Sequence, residues 1–344
     1  MMESRDDIPR AVRPAILRIL AALGFALAFC LGAYLLISAT QPKSGLVSFS
    51  FLLVLPAAIS AFVAYAADPW GERSRRFYLL MPVWLLLAII VAAIVILREG
   101  VICVLLLSPL WLGSGLIGTW ITYASRHRRR KRADGTTYCS ALLLAPLLAM
   151  QVEPYVPLPS DTARVTRSAV IHASPEQLWP LLRGIPDVRP DEGAWNISQD
   201  VIGIPRPLGA RLAGGGIGAD RHADWDRSIH FRERITEWDM HKRIGWRFIF
   251  DDIAGWGFTD RHLMPDSPYF RVTTGGYTLD PIAPGLTRVT IDTEYRITTP
   301  VNGYSELWGE LFLGDLENNL LALIRGRAEH PALSGASERA IGRG

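Results

Sequence analysis

Hydrophobic residues along this chain fall into two regimes. Up to about residue 152 they run together in long blocks; beyond it they alternate with polar residues, and the chain closes on one helical stripe. Four stretches hold no charged residue: 19–39, 44–67, 77–97 and 100–125, of 21, 24, 21 and 26 residues. About 20 apolar residues carry a helix across the ~30 Å hydrocarbon layer of a bilayer. The pattern therefore predicts spans over about 19–39, 46–67, 77–97 and 101–124, with 136–152 as a shorter fifth candidate. Pro56, Pro82, Pro109 and Pro146 do not veto helices there, because neighbouring helices can satisfy a freed carbonyl. The first run is too long for the core of a cleaved signal peptide, and three more follow it. An all-α transmembrane bundle of four to five helices is expected over 1–152.

Residues 153–162 are proline-rich and predict a stiff linker. Residues 164–172 alternate as a strand, and Ser174, Pro175 and Gln177 then form a helix start in which Gln177 completes a capping box. Leu178, Trp179, Leu181 and Leu182 make that helix amphipathic. Residues 184–215 are rich in Gly and Pro and predict loops with at most one strand. Four or five strands follow. In 286–298, Val289, Ile291, Thr293, Tyr295 and Ile297 share one face, while Arg288, Thr290, Asp292, Glu294 and Arg296 share a solvated one. Residues 244–250 and 268–280 also alternate, the latter with a bulge expected at Gly275-Gly276. The last element is a helix over 303–327, capped by Asn302, with Leu307, Trp308, Leu311, Phe312, Leu316, Leu320, Leu323 and Ile324 at helical spacing. This order predicts an α+β domain: an antiparallel curved sheet wrapped around a long C-terminal helix, followed by a disordered tail over 329–344.

Charge divides at the same point. Up to residue 159 there are 15 Lys and Arg against 8 Asp and Glu; beyond it there are 21 against 25. The basic excess sits in loops between apolar runs and gives no argument for a nucleic-acid partner. Arg5, Arg10, Arg13 and Arg18, the loop with Arg73, Arg75 and Arg76, and the run from Arg126 to Arg132 fall on one side of the predicted bundle; Lys43 and Arg98 fall on the other. The positive-inside bias puts the N-terminus in the cytoplasm of a multi-pass cell-membrane (inner-membrane) protein. If 136–152 crosses, the C-terminal domain is extracytoplasmic. The absence of Lys and Arg from 153–163 favours crossing. No charge lies mid-span, which disfavours a transporter or channel. The strong preference for Arg, 33 against 3 Lys, suggests a GC-rich, bacterial genome.

The three cysteines all lie before residue 140, so the C-terminal half has neither a disulfide framework nor a Cys-based zinc site. His222 and His230 fall on a solvent face and His241 and His262 lack ligand-spaced partners, so no metal and no cofactor is expected. Gly214–Gly218 lacks the context of a phosphate loop, and no Ser-His-Asp or Cys-His set can be assembled. One polar pair stands out. If 219–235 folds as a hairpin with its turn at Asp226-Arg227-Ser228, Arg221 faces Glu233 on the apolar side, beside Ala223 opposite Phe231 and Trp225 opposite Ile229. Burying either charge alone is costly, so they are expected to pair, either as a structural ion pair or as a polar anchor for a ligand.

Val170–Trp179, Gly216–Arg221, Phe231–Trp238 and the terminal helix, in that order, resemble the START-like (SRPBCC) superfamily over about 163–328, and within it the polyketide cyclase/dehydrase and lipid-transport group. The resemblance implies a helix-grip fold with an apolar cavity between sheet and helix, taking a lipid or another hydrophobic small molecule. Its expected lining is Arg221, Trp225, Phe231, Glu233, Trp246, Phe248, Tyr277, Tyr295, Leu311 and Phe312. The family shares no one catalytic set, so no catalytic residue is implied. Two other readings stay open: an enzyme of the cyclase or dehydrase kind using a cavity carboxylate such as Glu233, and a non-catalytic regulatory or assembly protein of the membrane with unknown protein partners.

Overall fold

The computed structural model describes residues 12–40, 48–68, 70–93, 95, 101–128, 135–251, 254–256 and 264–330. The chain divides into two compact units, Met1–Leu158 and Pro159–Gly344.

The first unit contains α1 (Val12–Thr40), α2 (Leu55–Ala67, entered through a wider turn at Ser50–Val54), α3 (Arg75–Ala92), α4 (Val101–Arg128) and α5 (Gly135–Val152). Among the described residues, four helical segments are long and apolar enough to cross a membrane: Ile16–Ile37, Ser50–Ala67, Arg75–Ala92 and Leu105–Arg126. The apolar part of α5, Ala141–Tyr155, is shorter. The internal prolines Pro82, Pro109 and Pro146 leave α3, α4 and α5 continuous. Leu17, Leu20, Trp84 and Val91 are exposed on α1 and α3, a pattern that suits lipid contact. In the interior, α2 and α4 approach so closely that a Cβ at Gly118 would lie 2.0 Å from the Ala57 carbonyl oxygen. The end of α2 is fixed by Asp68, whose carboxylate accepts from the Glu72 and Arg73 amides and, at 2.9 Å, from the Tyr78 hydroxyl. Just past α5, the Glu153 carboxylate accepts the backbone N–H groups of Phe49 and Ser50, the latter at 2.9 Å. The start of α2 and the end of α5 therefore lie side by side.

The second unit is built on a sheet of seven antiparallel strands among the described residues, in the order β1-β7-β6-β5-β4-β3-β2. The strands are β1 (Ser160–Ile171), β2 (Pro207–Ala213), β3 (Asp220–Trp225), β4 (Ile229–Asp239), β5 (Arg243–Ile249), β6 (Phe270–Ala283) and β7 (Leu286–Thr298). The short helices α6 (Pro175–Arg183) and α7 (Ile197–Asp200) lie between β1 and β2, and α8 (Asn302–Glu329) closes the chain, packed on β1 and β7. This is a helix-grip arrangement. Its core joins Ile171, Leu178, Leu182, Ile244, Val289, Ile291, Leu321 and Ile324, all nearly or fully buried.

Several expectations are met in detail. The β3–β4 register pairs Arg221 with Glu233, Ala223 with Phe231 and Trp225 with Ile229. Arg227 and Ser228 adopt positive φ in the turn between them. Gln177 Oε1 accepts the Ser174 N–H at 2.9 Å, as a capping box requires. The inner face of β7 buries Val289, Ile291, Thr293, Tyr295 and Ile297.

Other expectations are corrected. β1 begins at Ser160, so the stretch expected as linker loses its last three residues to the sheet. α7 interrupts the segment read as loops, capped by Asn196 through its hydrogen bond from Gln199 N at 2.8 Å. The β6 bulge is not at Gly275-Gly276, which stay in register with Thr293 and Asp292; the shifts fall between Val272 and Thr274 and between Pro281 and Ala283. The glycines instead make room: a Cβ at Gly275 would lie 3.0 Å from the Trp246 indole, and one at Gly276 2.8 Å from the Arg243 guanidinium. Asp292 points outward but is not solvated. It is buried in a network in which Arg243 Nη1 reaches it at 2.9 Å. Asn302 opens α8 without capping it, because its side chain is engaged elsewhere: Oδ1 accepts the Thr299 N–H, and Nδ2 donates to Pro159 and Asp161. Leu307 is 68% exposed, so the sheet-facing stripe of α8 differs from the one read off its large apolar residues. The tail expected over 329–344 lies, from residue 331, outside the described residues.

Candidate functional site

Strand alternation and cross-strand register turn one row of side chains after another onto the inner face of the sheet. Towards β3, Trp225, Phe231, Phe248 and Phe250 form one aromatic group with Trp256, around buried Ala223 and Ile229. Adjacent rings are in contact, with centroids 5.9 Å apart for Trp225–Phe231 and Phe231–Phe248, and 6.0 Å for Phe250–Trp256. The wall continues through Trp246, 6.1 Å from Phe248, to Tyr277, 5.2 Å from Trp246. Trp246 and Tyr277 are closed off from solvent, whereas Trp225, Phe248, Phe250 and Trp256 remain partly open.

The expected lining residues are thus not one cluster. Trp225, Phe231, Phe248, Trp246 and Tyr277 form this continuous wall. Tyr295 belongs to a separate group with Val165 and Ile297, where Phe270 and Leu313 pack against it. Its hydroxyl sits over Gly309, where a Cβ would approach it to 2.2 Å. Leu311 and Phe312 are half-buried on α8, and Phe312 contacts Trp308, with ring centroids 5.5 Å apart.

Arg221 and Glu233 are both buried and joined by a 2.5 Å hydrogen bond from Nε to Oε2. Arg221 Nη1 donates to the Leu182 carbonyl at 2.6 Å, and the guanidinium carbon lies 4.1 Å from the centre of the Trp246 ring. Burial pulls the Arg221 pKa down, but the charges of Glu233 and Tyr277 outweigh it, so the net shift is upward and the group stays charged. Burial also pushes the Tyr277 hydroxyl up to about 12. A cavity base at Glu233 would have to be free of Arg221; its hydrogen bond to that guanidinium removes the basis for the role.

Sequence reasoning missed Glu317. It projects from α8, is 2% exposed, and neither carboxyl oxygen has a hydrogen-bond partner. Burial raises its pKa from the ordinary 4.5 to about 8; Thr293 and Arg167 offset part of the shift, and Asp292 and Glu310 add to it. Thr293 faces it from β7 without reaching hydrogen-bond geometry. The signal was available: Glu317 lies four residues after Leu313 and four before Leu321, both packed residues, so it is a charge inside an apolar stripe. Among the described residues no group of His, Cys, Asp and Glu has the arrangement of a metal site.

A family model described as polyketide cyclase / dehydrase and lipid transport matches residues 162–325. Over these residues the C-terminal domain is similar to this START-like family. No curated protein matches the sequence. Among solved structures, the START-like domain is similar to the Zhui aromatase/cyclase from Streptomyces sp. R1128, at 13% identity, covering 51% of this chain and 99% of that one, with a TM-score of 0.32. It is also similar to norcoclaurine synthase from Thalictrum flavum in complex with dopamine and hydroxybenzaldehyde (13% identity, 50% and 89% coverage, TM-score 0.31). A third similar structure is a START superfamily protein from Mycobacterium smegmatis (15% identity, 49% and 98% coverage, TM-score 0.32).

Proposed function

We propose that this protein is a membrane-anchored binding module whose START-like domain takes up a hydrophobic small molecule or lipid against the inner face of its sheet. The observation that carries the reading is the aromatic wall. Rings run without a break from Trp225 to Tyr277, and at the β3 end they stay partly open to solvent instead of closing into a filled core. An apolar surface with a few enclosed polar groups is the usual character of a small-molecule site. The family description, which names lipid transport beside cyclase and dehydrase chemistry, is consistent with this reading.

The domain acts on the side of the membrane opposite the basic loops. The hydrogen bonds from the start of α2 to Glu153 support this, because α2 begins on the far side from the N-terminus if α1 crosses. With its end beside that point, α5 crosses as well. Anchoring keeps the groove close to a membrane source of ligand and raises the effective concentration there.

Photolabelling tests the binding reading. The full chain in lipid nanodiscs is irradiated with a diazirine-bearing aliphatic probe, and the labelled peptides are mapped by mass spectrometry. Adducts on Phe231, Phe248 or Phe250 are expected beside those on the membrane helices. Labelling confined to the helices would refute it.

A further inference from the structure

Glu317 stands apart from the other buried charges of the domain. Arg221 and Glu233 satisfy each other, and Arg167, which reaches α8 from β1, is engaged by Glu310 at 2.7 Å. Glu317 has neither an ion-pair partner nor a hydrogen bond, although it is among the most completely buried side chains of the described residues. Opposite it on the sheet, Thr293 pairs with Gly275, and Gly275 pairs in turn with Trp246. The missing side chain at Gly275 lets the Trp246 indole lie over that position, with Nε1 3.0 Å from where a Cβ would be. That Nε1 also has no hydrogen-bond partner. Two orphaned donors, one a carboxyl and one an indole N–H, thus face the same row of the sheet at the closed end of the aromatic wall.

We propose that Glu317, as a neutral carboxylic acid, donates a hydrogen bond to an uncharged carbonyl oxygen of an apolar ligand, with the Trp246 N–H as a second donor. The inference rests on the binding function proposed above and names the polar group of the ligand. A neutral acid can donate where a carboxylate can only accept. Burial, the first cause of its raised pKa, keeps Glu317 protonated at neutral pH against the pull of Arg167 from β1 and Thr293 from β7, and the carboxylates of Asp292 on β7 and Glu310 on α8 reinforce it. From β6, Tyr277 is close enough to feel its charge. Among the described residues, Arg221 and Arg167 are already paired, so neither is left to receive an acidic ligand. An unpaired buried donor is costly, and a ligand carbonyl relieves that cost while its apolar body covers the rings.

The test uses the full chain in nanodiscs and two probes of one aromatic skeleton. The first is a ketone with a ¹³C-labelled carbonyl; the second is the hydrocarbon without it. With the native chain, the labelled carbonyl stretch of the bound ketone is expected at lower frequency than in lipid alone. Glu317→Leu should abolish that shift and weaken ketone binding roughly tenfold, with hydrocarbon binding unchanged. Glu317→Gln, which keeps the shape and an N–H donor, should restore most of both and controls for misfolding. An identical carbonyl frequency in the native chain and Glu317→Leu would overturn the proposal and leave Glu317 to water. Tighter, Glu317-dependent binding of an amine of the same skeleton would overturn it too, because the site would then select a cation. If neither the ketone nor the hydrocarbon binds the domain, the binding function itself fails, and the proposal with it.

Discussion

The sharpest consequence of the structure is a pH dependence placed in one side chain. Glu317 moves from the ordinary 4.5 to about 8 on folding, driven first by burial. The folded chain then holds a proton that the unfolded chain has released between those values, so stability must fall as pH rises through that interval. The sign is opposite to that of a salt-bridged carboxylate. Asp220, held near 2 chiefly by its hydrogen bond from Arg234, contributes stability above the ordinary carboxylate pKa and loses it only in acid, outside this window. Each pKa unit corresponds to about 1.4 kcal/mol, so full ionisation of Glu317 costs on the order of 5 kcal/mol. For a domain of this size that amounts to a melting-temperature change of roughly 10 °C. The variant is Glu317→Gln, which keeps the shape and cannot titrate. Thermal unfolding of the full chain, followed by tryptophan fluorescence from pH 5 to pH 8.5, should show the native chain losing stability relative to the variant as pH rises. Histidines and surface carboxylates are common to both chains and cancel in the difference. Parallel melting curves across the range would refute the argument, because they would mean that Glu317 is already solvated or paired in the folded state.

The paired charges behave differently. Arg221→Met leaves Glu233 buried and unpaired and should cost about 3–5 kcal/mol, whereas the double variant Arg221→Met/Glu233→Leu should recover most of that loss in the same melting assay. If the double variant is as unstable as the sum of the single ones, the pair is not coupled as its geometry requires. On α8, Gly309→Ala forces a methyl against the Tyr295 hydroxyl and should destabilise by about 1–2 kcal/mol despite a better helix former, while Gly326→Ala, with open space around it, should stabilise by up to about 1 kcal/mol. Equal effects at the two glycines would show that the helix–sheet approach is not tight. A C-terminal reporter active only outside the cytoplasm should be active; silence there, with activity of a cytoplasmic reporter, would mean that α5 does not cross.

How much of this was legible in the sequence follows from which physical effect decides each feature. Alternation fixed the faces of β7, and a single register sum brought Arg221 opposite Glu233, because a strand of period two leaves few ways to pair an apolar face. Local sequence cannot tell a kink from a clearance, so the β6 glycines suggest a bulge; only the tertiary approach of Trp246 and Arg243 shows that they are clearances. Large apolar residues alone predict a stripe of α8 that includes the exposed Leu307 and leaves out the buried Gly309, Gly314 and Glu317. In a helix that rides close to a sheet, small residues mark the line of contact as surely as leucines do. The aromatic wall was half legible. Alternation places its residues on the inner face, but the separation of Tyr295 from the rest shows only in which side chains pack together.

The two inner acids differ in how their charge is met. Glu233 has a guanidinium at 2.5 Å and lies beside rings that shield the pair, so its charge is settled within the protein. A buried ion pair of that kind can usually be exchanged for apolar residues with little loss. Glu317 has no such partner, and an apolar residue in its place would remove both a desolvation penalty and two unsatisfied oxygens. Folding alone therefore gives no reason for an acid at this position. A reason exists if the carboxyl meets something that is not part of the chain. The same logic accounts for the orphaned Trp246 Nε1, where a phenylalanine would fill the space over Gly275 without an unpaired donor. Two costly donors, one on α8 and one on β5, that face the same row of the sheet make sense as the polar half of a recognition site, and that is the physical ground on which a bound carbonyl is expected there.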